Sequence, residues 1–265
     1  MEFTDQIGRK INISKPVKRI VSLVPSLSEL VVYLGLEEEL VGVTKFCIHP
    51  STLKTSKTIV GGTKKVHLQK ILDLKPDIIL CNKEENTLEM VRELEKIAAV
   101  HVSNVISFQD SQALIHSYGE IFNCHTAVEK LNLGLTEKYE DFQSNISKTN
   151  QKVGYFIWRE PWMVVGADTF INSMLELNNW DNSFKNYNGR YPEIKINNLM
   201  ELDLDLILLS SEPFPFKQKH IEEIRNYTKA RIEIVDGEFF SWYGSRSLIA
   251  FDYFKKFRDH LSISL

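Results

Sequence analysis

Short apolar runs alternate with stretches of helical periodicity along most of the chain. Gly8-Arg9 lies between two short polar/apolar alternations, the pattern of a hairpin turn. Arg19-Ile20-Val21-Ser22-Leu23-Val24 reads as a buried strand ended by Pro25-Ser26. Ser26 or Ser28 is positioned to cap a helix through Leu34, and Gly35 stops it. Leu40-Val41-Gly42-Val43-Thr44 predicts the next strand, followed by a short helix over 68–74, a strand over 77–80, a helix over 87–98 and a strand over 100–102. Short β-branched strands alternating with helices predict a parallel sheet.

The texture changes between Asp110 and Asn145. Leu114, Ile115, Ile121, Val128, Leu131, Leu135, Tyr139 and Phe142 recur at helical spacing with no strand signal between them. Two helices with a break near Asn123 are expected, the second a single helix over about 126–148 that spans both lobes. The α/β alternation resumes at Lys152, with strands over 153–158, 206–209 and 231–235 and helices over 169–177, 221–227 and 245–260. A local echo links the halves. Leu72-Asp73-Leu74-Lys75-Pro76-Asp77-Ile78-Ile79-Leu80 resembles Met200-Glu201-Leu202-Asp203-Leu204-Asp205-Leu206-Ile207-Leu208, and both read as helix, tight turn and buried strand. The expected organisation is an N-terminal α/β lobe (1–108), a helical connector (109–150) and a C-terminal α/β lobe (151–265).

Composition narrows the function. With 32 basic and 35 acidic residues there is no surplus to neutralise phosphates, so nucleic acid is not an expected partner. Cys47, Cys81 and Cys124 are too far apart for a disulfide framework or a zinc spacing. No apolar run reaches the length of a membrane span. The opening residues lack a basic segment followed by an apolar one, so the chain as it stands is expected in the cytoplasm, or in the periplasm if a leader precedes it. A monomer is expected.

Candidate chemistry collects just past the predicted strands, where open α/β sheets bind ligands. The first half contributes Phe46, Lys64, Glu84 and Glu85, and the second Trp162, Tyr191, Glu212, Phe239, Trp242, Tyr243 and Arg246. Loop aromatics suit a flat, partly apolar ligand. Arg246 reads either as a bidentate grip on an anionic group or as an interlobe ion pair with Glu84, Glu85 or Glu212. As a ligand grip, its loss should weaken binding more than stability. Glu84-Glu85 reads equally as a solvated helix N-terminus. Cys47 and His49 are metal-ligand candidates, against a plain reading of Cys47 as a small buried residue. As a nucleophile and base they would face opposite sides of a strand, and no catalytic residue is assigned.

Arg19-Ile20-Val21-Ser22-Leu23-Val24-Pro25-Ser26 with Glu29, Val41-Gly42-Val43, Gly61-Gly62, Leu74-Lys75-Pro76-Asp77-Ile78-Ile79 and Gly244-Ser245-Arg246 together resemble the iron-siderophore and cobalamin substrate-binding proteins of ABC importers. Val43-Thr44-Lys45-Phe46-Cys47-Ile48-His49-Pro50, Gly61-Gly62-Thr63-Lys64, Asn82-Lys83-Glu84-Glu85-Asn86, Ser211-Glu212-Pro213-Phe214-Pro215-Phe216 and Ser241-Trp242-Tyr243-Gly244-Ser245-Arg246 also resemble the helical-backbone metal receptor subgroup. The resemblance implies two Rossmann-like lobes with parallel sheets bridged by one long α-helix, a class III periplasmic-binding-protein-like fold, with ligand held in the cleft. It implies no obligatory cofactor; a metal chelate, a corrinoid-like or another flat anionic molecule is the cargo. An intracellular carrier or sensor, a secreted importer receptor, and an enzyme acting on a chelate in the same cleft are the roles it leaves open. By the cobalamin-binding pattern Phe46, Tyr191 and Phe239 match aromatic positions, whereas Thr63 replaces one. The two glutamates that pair with permease arginines in importer-docking members are matched by Gln69 and Asn197, so those ion pairs cannot form.

Overall fold

Val21, Leu23, Ile79, Cys81, Val100 and Val102 are almost inaccessible to solvent, as strands covered by helices on both faces must be. In the computed structural model, which describes residues 1–147 and 149–263, they belong to the first of two α/β units. This unit comprises Met1–Val105, Gln109–Thr136 and Trp242–Ser247; the remaining described residues form the second.

The chain opens with an antiparallel hairpin of β1 (Glu2–Thr4) and β2 (Lys10–Asn12). Asp5 organises its turn by accepting the N–H groups of Ile7 and Arg9 at 3.1 and 2.8 Å. Then follow β3 (Ile20–Ser22), α1 (Pro25–Tyr33), β4 (Leu40–Val43), α2 (Leu53–Ser56), β5 (Thr58–Ile59), α3 (Leu68–Asp73), β6 (Ile78–Asn82), α4 (Leu88–Leu94) and β7 (Ala99–Ser103). The sheet order is β5-β4-β3-β6-β7, all parallel. Neither serine caps α1: Val24 occupies the N-cap and Pro25 the first turn, where its missing N–H costs nothing. Ser28 instead turns inward and donates to Ser22 Oγ at 2.8 Å.

α5 (Phe108–Phe122) and α6 (His125–Asn145) follow, broken where Asn123 adopts φ 54°. The division between the units falls inside α6, between Thr136 and Glu137. The helix stops at Asn145, short of the expected 148; Lys148 lies outside the described residues.

The second unit contains β8 (Gln151–Trp158), β9 (Met163–Val164), α7 (Phe170–Leu177), β10 (Trp180–Asn182), β11 (Leu206–Ser210), α8 (Gln218–Ile224), β12 (Arg231–Val235), α9 (Glu238–Ser241) and most of α10 (Ser247–Ile263). Parallel strands run in the order β10-β8-β11-β12, and β9 pairs antiparallel with β8. β5 and β9 escape sequence reading because they are two residues long, and β10 because Trp180-Asp181-Asn182 is polar at two of its three positions. The aromatic core here includes Phe142 of α6 against Phe251 and Phe254 of α10, at 5.6 and 6.1 Å between centroids.

The sequence echo is a structural one. Lys75 and Asp203, at matching positions, both take left-handed backbone (φ 46° and 47°). Two residues on, Asp77 accepts the N–H groups of Lys18 and Arg19 at 2.9 Å each, and Asp205 accepts that of Lys152 at 2.7 Å. Each carboxylate fastens the start of the neighbouring strand. The shared pattern is therefore a turn that aligns β6 on β3 and β11 on β8.

Candidate functional site

In each sheet the chain leaves its first strand to one side and returns on the other. β4 and β6 flank β3, and β10 and β11 flank β8. The crevice at such a reversal lies beyond the carboxyl ends of the strands. Each unit presents one such set of loops.

In the first unit the loop after β4 turns at Lys45-Phe46, with Cys47 N–H donating to Thr44 O at 3.1 Å. The turn leaves Phe46 48% exposed. Gly62 lies beneath it: a Cβ there would come within 3.2 Å of the ring. Lys45 Nζ sits 5.0 Å from the ring centroid. After β6, the side chain of Asn82 builds the next turn by accepting the N–H groups of Glu84 and Glu85 at 2.8 and 3.2 Å. Asn86 Nδ2 donates to Thr63 O at 2.8 Å and Lys64 Nζ to Glu84 O at 2.6 Å, which ties this loop to the one carrying Gly61-Gly62. Burial raises the Glu85 carboxyl, opposed by Lys64 and by a hydrogen bond from Thr63. Glu84-Glu85 is therefore not a solvated helix N-terminus. α4 starts only at Leu88, capped by Thr87, whose Oγ1 accepts Met90 N–H at 3.2 Å.

Trp242, Tyr243 and Arg246 were expected from the second lobe because they lie late in the chain; the structure places them in the first unit. The buried Tyr243 hydroxyl lies 3.4 Å from Ser103 Oγ and also hydrogen-bonds Ser26. The Trp242 ring meets His49 edge-on at 5.5 Å. Arg246 makes an ion pair with a residue that was not among the expected partners, Glu29 on α1: Nε and Nη2 donate to the two carboxylate oxygens at 2.9 and 2.7 Å. Sequence reading named Glu29 only as part of a motif, and the 217 positions between the partners put the pair beyond any spacing argument.

The metal reading finds no support in the geometry. Cys47 is fully buried, and its thiol shares hydrogen bonds with Ser28 Oγ at 3.1 Å and Thr44 Oγ1 at 3.3 Å. Burial raises its pKa, so neither the ligating nor the nucleophilic thiolate is favoured. Cys47 and His49 also lie on a loop, so the opposed-faces argument does not apply. Among the described residues no three His, Cys, Asp or Glu side chains come together as a metal site.

In the second unit Trp158 is 39% exposed at the end of β8, and Arg159 grips Glu223 through Nε and Nη2 at 3.0 and 3.1 Å. Trp162 stacks on Phe216 at 6.1 Å, and Phe214 touches both Trp158 and Phe216. His220 packs against Phe214 and Phe216, and its Nδ1 accepts Lys217 N–H at 2.8 Å. Glu212 accepts the Ser241 hydroxyl at 2.7 Å. Phe239 stacks on Tyr253 of α10 at 4.5 Å. Tyr191 is half-buried in the segment that pairs with β9, where Val164 N–H donates to Pro192 O at 3.1 Å. Structure thus joins Phe46, Lys64, Glu84 and Glu85 to neighbouring loops of one unit, and Trp162 to the aromatics after β11 in the other.

The sequence profile of the periplasmic binding protein family matches residues 20–229. An uncharacterized ABC transporter substrate-binding lipoprotein, YvrC of Bacillus subtilis (strain 168), is 29% identical over 183 residues; the match covers 65% of this chain but only 57% of that protein. A vitamin B12-binding protein of Vibrio parahaemolyticus is 20% identical over 200 residues, 74% of this chain and 72% of that protein. Among solved structures, the periplasmic heme-binding protein RhuT from Roseiflexus sp. RS-1 superposes with a TM-score of 0.79 at 17% identity, over 92% of this chain and 98% of that one. At that identity the likeness speaks for the fold: an α/β architecture of the class III periplasmic binding proteins. With the profile spanning most of its length, the chain belongs to the periplasmic binding protein family.

Proposed function

We propose that this chain is a ligand-binding protein rather than an enzyme, and that it takes a metal chelate, a corrinoid-like or another flat anionic small molecule on the loops beyond its sheet strands. The observation that carries the proposal is the half-exposed Phe46 ring, standing over a glycine with a lysine at its face and Trp242 and Tyr243 in the same unit. An apolar face with cationic neighbours suits a flat anion. The vitamin B12- and heme-binding proteins of similar sequence or fold support the same ligand class. No obligatory cofactor belongs to this reading, and the bound molecule is cargo.

The substrate-binding lipoprotein among the relatives supports work beside an ABC importer outside the cytoplasm. Gln69 and Asn197 favour carriage or sensing inside the cell instead. Both are exposed and neutral where docking glutamates would stand, and Gln69 Nε2 donates to Asp73 at 2.8 Å. On that second reading a cobalamin- or siderophore-type permease captures no protein, and a salt-sensitive complex with one would favour the first. Among the described residues no helix is long and apolar enough to cross a membrane. Native mass spectrometry of protein purified from its own source should reveal a bound chelate or corrinoid that Phe46→Ala loses. Retention of the same ligand by Phe46→Ala, or release of a chemically altered product, would contradict the proposal.

A further inference from the structure

We propose that Glu29 and Arg246 are positioning residues whose ion pair sets Trp242 as a wall of the first unit's strand-end site, an inference that rests on reading that site as a ligand site. Arg246 offers a bidentate edge, Nε with Nη2, and a flat face. The edge is taken by Glu29 on α1 at 2.9 and 2.7 Å. The guanidinium carbon stands over Trp242, with Cζ 4.9 Å from the ring centroid. The carboxylate fixes where the guanidinium sits, and the guanidinium holds the indole beneath it, because cation–π attraction favours the charge over the ring face.

The backbone between them is tethered to the same unit. Gly244 turns at φ 88°, and its N–H donates to Ser111 Oγ at 2.9 Å. A Cβ on Gly244 would sit 3.4 Å from Leu30 of α1. Tyr243 is held by Ser103 and Ser26. The segment from Trp242 to Arg246 is thereby laid along α1, and His49 meets the indole edge-on at 5.5 Å. Lysine cannot replace this arginine: a point charge without a planar fork cannot hold the carboxylate and the ring in one geometry.

The test uses the full chain with Glu29→Gln, Arg246→Lys and Trp242→Phe. Indole N–H resonances in 15N-labelled protein report on the four tryptophans, and the signal lost in Trp242→Phe identifies Trp242. Glu29→Gln and Arg246→Lys should each move that signal and leave those of Trp158, Trp162 and Trp180 in place. With hemin as the probe, each should weaken binding by about tenfold, and neither should weaken it further in a Trp242→Phe background. An unmoved Trp242 signal overturns the proposal. So does hemin affinity that is unchanged in both variants while Trp242→Phe loses it, or losses that add to that of Trp242→Phe. If the wild-type chain does not bind hemin, the ligand reading fails for hemin, and the Trp242 signal alone decides the positioning role.

Discussion

At the amino ends of their strands the two units are near copies. Strand orders β4-β3-β6-β7 and β10-β8-β11-β12 match, Lys75 and Asp203 share a left-handed turn, and Asp77 and Asp205 fasten the adjoining strand. At the carboxyl ends the likeness stops. The first unit gathers asparagine-built turns, charged side chains and a segment from far along the chain; the second gathers Trp158, Trp162, Phe214 and Phe216. The difference teaches where each demand falls. Turns that set strand register repeat because register is a common need, whereas the loops beyond the carboxyl ends are free to diverge, as the proposed ligand role would require.

The largest contrast should lie between two arginines that make similar forks. Arg246 is 6% exposed in its side chain and Glu29 17%, so Arg246→Ala strands a mostly buried carboxylate and should cost about 3–5 kcal/mol in urea unfolding. Arg159 and Glu223 are 28% and 35% exposed, and Arg159→Ala should cost under about 1 kcal/mol. As a ligand grip Arg246 should matter more to binding than to stability; the pair with Glu29 adds this stability cost to the expectation. Equal losses in the two variants would break the contrast.

Next comes acid sensitivity. His101 of β7 is fully buried beside Tyr118, with no hydrogen-bond partner on either ring nitrogen among the described residues, and burial lowers its pKa from 6.5 to about 4. Between those values the unfolded chain binds a proton that the folded chain refuses, so stability should fall as pH drops from 6.5 to about 4 and level off below. The full loss is about 3 kcal/mol, at about 1.4 kcal/mol per unit of pKa. His101→Phe should flatten this part of the pH–stability curve. An unchanged slope would show that other groups cause it.

The smallest contrast tests the echo itself. Asp77 holds two N–H groups and an ion pair with Lys15 at 2.9 Å, and Asp205 holds one N–H group from an exposed position. Burial alone would raise the Asp77 carboxyl, but these donors lower it on balance. Asp77→Ala should cost about 2 kcal/mol and Asp205→Ala about 1 kcal/mol by thermal unfolding. A neutral Asp77→Ala would mean that register does not depend on the turn.

Much of this was legible from residue order. Apolar runs found β3, β4, β6, β7, β8 and β11, because strands covered on both faces are largely apolar, whereas β12 showed as an alternation in which Arg231 and Glu233 flank the buried Ile232. The break at Asn123 was equally visible, since few residues other than glycine and asparagine accept its backbone. Ser28 misled because a helix-capping serine and a buried serine bonded to Ser22 look alike in sequence. At the candidate site, residues placed by local loops, such as Phe46, Glu84 and Glu85, could be named from position after a strand. Arg246 could not be understood that way: its partner, its ring contact and its unit are all set by a return of the chain to α1.

The central claim, that the chain binds a metal chelate, a corrinoid-like or another flat anionic small molecule without transforming it, is tested most directly by isothermal titration of the wild-type protein. The probes are hemin, cyanocobalamin and a ferric catecholate siderophore, each recovered afterwards for mass analysis. The account predicts that one of them saturates with a Kd of about 1 μM or tighter and is recovered unchanged. No saturation by any of the three, or recovery of a modified molecule, would contradict it.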